Sequence, residues 1–246
     1  MKYESVYDEI LASVRRRIQR LDHQVELAQK YSADGSMKES YTAAFDAEET
    51  AEKLTLKLRT APAYTGFPEA RDDMEKILEN TVPVKMGYTR EGWFCLKIPC
   101  LLPKKEKGSA DYIRGFLNPA MDRFFSYGYP KKVTDCVLIY RHVYDRTIPE
   151  RRWRDHDNIE INFVSDKVAQ YVMADDSPNF CRHYYCSAAG AASETQVFVV
   201  PFSDFGIWLS TEPMIPDSGL PLIEDPRYLD QKSIRFSGNF ESKNQI

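Results

Sequence analysis

The sequence is short of several things. No stretch approaches the about 18 consecutive apolar residues that mark a membrane-crossing helix, so no transmembrane span is expected. Met1-Lys2-Tyr3-Glu4 leads into no apolar run with a small-residue cleavage site, so no secretory signal is expected either. The five cysteines (Cys95, Cys100, Cys136, Cys181, Cys186) are odd in number and form no CxxC pair, and there are only four histidines. That argues against a zinc finger or a disulfide framework and for core or strand thiols in a reducing cytoplasm. Gly35, Gly108 and Gly190 build neither a GxGxxG nor a Walker loop, which argues against a nucleotide cofactor. No Ser/His/Asp or Cys/His triad can be assembled with conviction around His183. No repeat or low-complexity tract is present.

What remains is a chain of 246 residues with 43% hydrophobic side chains, enough for one large domain or a compact domain with an accessory element. The net charge of −4 does not suit a general nucleic-acid binder, but the charge is unevenly spread. Residues 84–200 carry 17 Lys/Arg against 14 Asp/Glu, whereas both flanking segments are acidic. A mild basic excess permits contact with DNA without requiring it.

Tyr7, Ile10, Val14, Leu21, Val25 and Ala28 recur at three- and four-residue steps, predicting a helix over 3–31 with Arg15, Arg16, Arg17 and Arg20 mostly off the stripe. Acidic neighbours such as Asp22 and Glu26 make that arginine cluster a solvated face. Ser32 to Ser36 supplies a turn, and a second amphipathic helix is expected over 37–60. The product is an antiparallel hairpin that cannot bury both faces by itself. It is expected to pack on the main domain, a second copy or another protein. A short helix from Pro68 to about Asn80 and a linker at Thr81-Val82-Pro83 complete a first region, 1–83.

From residue 84 the period changes. Trp93–Ile98 reads as a strand, Asp111–Tyr127 as a helix and Val133–Tyr144 as a strand. Asn158–Ala169 reads as a helix, and 179–187 and 195–201 as two strands. This order predicts an α/β domain over 84–201 with a mixed sheet packed by helices. Residues 202–246, rich in proline and aromatics, are expected to form an extended tail packed on it.

The chemistry is concentrated in Arg151-Arg152-Trp153-Arg154-Asp155-His156-Asp157-Asn158, followed 16 residues later by Ala174-Asp175-Asp176. In an extended chain Asp155 and Asp157 point the same way and could share one hard cation. The chain between them is long enough to return Asp176 to their side. Three carboxylates around Mg²⁺ (or Mn²⁺) would suit phosphodiester hydrolysis, with Arg151, Arg152 and Arg154 holding phosphates. A bland account competes: Asp157 with Glu160 imitates a helix capping box, Asp175 to Pro178 a turn, and the arginines a surface ion-pair cluster. His156 would face away from its flanking aspartates, and Trp153, Tyr184 and Tyr185 suit core packing better than base stacking.

The run RRWRDHDNIE with its acidic pair, Asp176 falling 19 residues after Asp157, resembles the signature of the RusA family of Holliday-junction resolvases. Leu96-Lys97-Ile98-Pro99 followed by Leu101-Leu102-Pro103 is similar to that family's first strand and its proline exit. The resemblance covers about residues 92–201. It implies a RusA-like α/β fold, preceded here by the α-helical hairpin. It further implies Mg²⁺-dependent, structure-selective cleavage of branched DNA by a homodimer. Asp155, Asp157 and Asp176 match the catalytic metal-binding aspartates, Asp175 the first of the acidic pair, and Asn158 the residue that opens the helix. Lys104 and Lys105 stand where polar residues follow the first strand, and with Arg151, Arg152 and Arg154 are the candidate DNA contacts. One departure stands out. Ile161 occupies the position of a family lysine, and isoleucine cannot offset charge at a phosphate. Lys167, six residues on, does not fall on the same helix face. A non-catalytic RusA-like DNA-binding or protein-interaction protein is the alternative.

Overall fold

A computed structural model describes residues 5–106 and 108–228. They fall into two compact units, residues 5–77 with 106 and 108–112, and residues 78–105 with 113–228.

The first unit is built on α1 (Val6–Ala33) and α2 (Met37–Thr60). Ser5 starts α1 with a capping box: its Oγ accepts from the Asp8 amide (3.1 Å), and the Asp8 carboxylate accepts from the Ser5 amide (3.3 Å). Gly35, at φ +76°, turns the chain between the helices, a conformation that glycine adopts without steric cost. The Ser40 hydroxyl donates to the Ala28 carbonyl (2.7 Å) and Lys57 Nζ to Ser13 Oγ (2.6 Å), which fixes the antiparallel register. Val14, Ala43, Ala47 and Leu56 are buried in the hairpin. Residues 70–81 form α3.

The second unit is a five-stranded sheet in the order β1-β2-β5-β3-β4, made of β1 (Lys85–Tyr88), β2 (Phe94–Ile98), β3 (Cys136–Asp145), β4 (Cys181–Gly190) and β5 (Glu194–Pro201). All pairings are antiparallel except β3 with β4, which α5 (Asn162–Val172) connects. This is the mixed α/β sheet expected from the element order. Alternate residues of the central strands face opposite ways. Trp93, Cys95, Val137, Ile139, Phe198 and Val200 form one core with Trp208 of α6 (Phe205–Thr211). On the other face, Tyr140 reaches Ser165 Oγ of α5 (2.8 Å). Phe94 packs against Phe124 of α4 (Ser109–Phe124) and against Phe125 just beyond it.

Three expectations need correction. The segment after Pro201 is not simply extended: α6 supplies the buried Trp208, and Glu212 just after it binds Nε of the buried Arg141 (3.0 Å). Part of it then pairs with the sheet, where Tyr88 and Ile223 exchange backbone hydrogen bonds of 3.0 and 2.8 Å. The rest of the predicted tail, 229–246, lies outside the described residues. Second, β4 runs through Gly190, so the loop to β5 is only 191–193. Third, the helix expected from Asn158 starts at Asn162.

Candidate functional site

The Arg151–Asn158 motif lies in the connection from β3 to α5, which the sequence read as extended chain running into helix. Instead, Glu150–Arg152 and His156–Asn158 are two short 3-10 turns. Asp155 is the extended residue that leads into the second turn, and Asp157 lies within that turn. The capping box is lost. No side chain caps the Ile161 end of α5, and the Glu160 carboxylate accepts from the Asn162 amide (3.1 Å).

The connection is held at several points along its length. Trp153 stacks on Tyr144 at 4.7 Å and 5°, and the Arg154 amide donates to the Tyr144 hydroxyl (2.9 Å). The Arg154 guanidinium donates to the Leu102 carbonyl, so it serves the loop's own architecture. Lys104 bridges Ile159, the Lys105 amide donates to the Asn158 carbonyl (2.9 Å), and the Glu160 amide donates to Pro103 (2.8 Å). Lys104 and Lys105, some 50 residues earlier in sequence, thereby lie directly beside the aspartate motif. Asp155, Asp157, Asn158, Arg151 and Lys105 are exposed, while Ile161, at the position of the family lysine, is buried.

His156 turns onto the sheet. Its Nε2 lies 2.9 Å from Ser187 Oγ, and its ring is 5.6 Å from His142 and 5.7 Å from Tyr185. His142 is fully buried, and neither ring nitrogen has a hydrogen-bond partner among the described residues. Burial, reinforced by His156 and Arg154, pushes its pKa down to about 4. His183 meets the Tyr185 hydroxyl at 3.0 Å, and Tyr184 packs on Phe205 and Trp208, in keeping with packing roles for these rings.

The second acidic segment behaves differently from the first. Asp175 closes a turn, accepting from Ser177 Oγ and from the Asp176 amide (both 2.9 Å), and these bonds hold its carboxyl below the usual range. Asp176 meets Asp166 of α5. Partial burial, the hydrogen bond to Asp176 and the charges of Asp176 and Glu160 raise the Asp166 carboxyl. Asp166 is an acid beside the motif that the sequence pattern does not single out. Its only signal was an acid on the helix that follows the motif.

Among the described residues no three His, Cys, Asp or Glu side chains are gathered as a metal site. Asp155, Asp157 and Asp176 are thus not assembled as the trio that a RusA-like cation would need, although carboxylates are the right donors for it. Lys167 lies 3.0 Å from Asp122 of α4 and does not replace the absent lysine. No helix among the described residues is long and apolar enough to cross a membrane.

No curated protein and no solved structure matches the sequence significantly. Residues 3–221, most of the chain, match a family of unknown function, and the protein belongs to that family, DUF6100.

Proposed function

We propose that this protein binds branched DNA through the β3–α5 connection, in the manner of the RusA-like proteins its motif resembles. The observation that carries this reading is the bridge between Lys104 and Ile159. It sets Lys104 and Lys105 beside Asp155–Asn158, on the same connection as Arg151 and Arg152, so two basic segments distant in sequence share one rim. Lysine and arginine on such a rim release counterions from phosphates, which supplies affinity and makes it salt-dependent. The test is fluorescence anisotropy with a four-way junction and a plain duplex over a salt series. The wild type is expected to favour the junction. Lys104→Ala with Lys105→Ala is expected to lower the slope of log affinity against log salt by about 2. Equal failure to bind either DNA at low salt overturns the proposal.

A second reading, Mg²⁺- or Mn²⁺-dependent nicking of the same DNA, is favoured by the Asp166–Asp176 pair. Two neighbouring acids with Glu160 nearby concentrate negative potential, which raises the Asp166 carboxyl and which a divalent cation would relieve. Nicking that is abolished by both Asp157→Asn and Asp176→Asn would support it. Junction binding with no cleavage in either metal would leave a non-catalytic DNA-binding protein, in line with the burial of Ile161.

A further inference from the structure

One face of the α1–α2 hairpin carries apolar side chains in steps of seven on both helices. On α1 they are Leu11, Ile18 and Val25, and on α2 Met37, Ala44, Ala51 and Leu58. The five larger ones are 39–58% exposed. The register set by Ser40 with Ala28 and Lys57 with Ser13 puts Val25 level with Ala44, Ile18 with Ala51 and Leu11 with Leu58. At the turn end of this face lies an open groove of about 570 Å³, lined by Val25 and by small residues that include Ala28, Ser32, Ser40, Ala44 and Ala47. The opposite face is mixed: Glu9, Arg16, Arg17, Lys53 and Lys57 lie there beside Val6, Ile10 and Leu56, and Glu106, from outside the hairpin, pairs with Lys53.

We infer that the hairpin is a dimerisation element, its apolar face occupied by the same face of a second copy in an antiparallel four-helix bundle. Steps of seven are the repeat of left-handed helix packing, in which a large side chain enters a hole on the facing helix. A two-fold axis parallel to the helices sets α1 of one copy against α2 of the other without changing the levels. Ile18 then meets the partner's Ala51 and Val25 the partner's Ala44, large against small at both positions. The extent is also sufficient. Helices of 24 and 28 residues are about 36–42 Å long. Two abreast present a face of roughly 700–800 Å², close to the ~800 Å² per partner of a stable complex. Because the same face is used by both copies about a two-fold axis, the contact is self-complementary and closes at two copies. None of this rests on the DNA reading.

The test uses the full chain. Light scattering at about 50 μM is expected to give twice the 28.5 kDa of one chain. Ile18→Glu with Ala51→Glu is expected to give a monomer of unchanged helical circular dichroism, since both positions lie outside the hairpin core. Should that variant unfold, Ile18→Cys with Ala51→Cys decides: mild oxidation is expected to produce a covalent dimer that neither the wild type nor either single variant gives. A monomeric wild type, a dimer that survives the two glutamates, or a dimer without the cross-link overturns the inference. The last two would place the interface, or its register, elsewhere.

Discussion

At the scale of single residues, His142 ties the sheet to the acidic motif. Its ring lies fully buried beside Tyr140 and under His156, with its proton affinity depressed to about 4 against an ordinary 6.5. The unfolded chain therefore takes up the proton first. Stability from this group is complete above pH 6.5 and is lost as pH falls toward 4, by about 3 kcal/mol in all. Urea midpoints measured from pH 7.5 to 4 should follow that loss, and His142→Leu should flatten the curve in this window. The sequence reads His156 only as structural or solvent-facing, turned from its flanking aspartates, and its contacts with Ser187, His142 and Tyr185 are long-range. Asp166 was not legible, because what marks it out is its contact with Asp176 across a turn, and neither residue's neighbours in sequence announce that contact.

At the scale of elements, local pattern served well wherever local physics decides. The hairpin helices fall within a few residues of where the apolar stripe and the Ser32–Ser36 turn put them, because a long amphipathic period is hard to imitate. The start of α5 was misplaced for the converse reason. Asp157 and Glu160 imitate a capping box, but the backbone there is committed to Pro103, Lys104 and Lys105, partners that no local window contains. β1 has only four residues and follows a proline. α6 has seven and lies in a proline-rich stretch, so neither offers a full period to read. Within the hairpin, Gln24 is buried and its Oε1 finds no partner among the described residues. Gln24→Leu removes that unmet polar group from a helical site and should stabilise the hairpin by about 1 kcal/mol. The gain would be read as a higher midpoint in thermal unfolding followed at 222 nm.

At the scale of the whole molecule, the mixed sheet and its helical layer were readable from the order of elements, but one of its two faces was not. The aromatic core on that face is completed by Trp208, from a segment whose sequence suggests only a tail, and Arg141 beneath it is neutralised by Glu212. Trp208→Ala should cost about 3–5 kcal/mol, visible as a lower denaturant midpoint. The strand order has a consequence for how the chain is made. β5, the central strand, is the last of the five to be synthesised. While the ribosome is still short of residue 201, β1–β2 and β3–β4 are two separate ribbons, with the inner edges that β5 will join left bare. The sheet is therefore knitted only after translation has passed its middle, and a chain stopped before Glu194 holds two sticky halves of a sheet instead of a smaller fold.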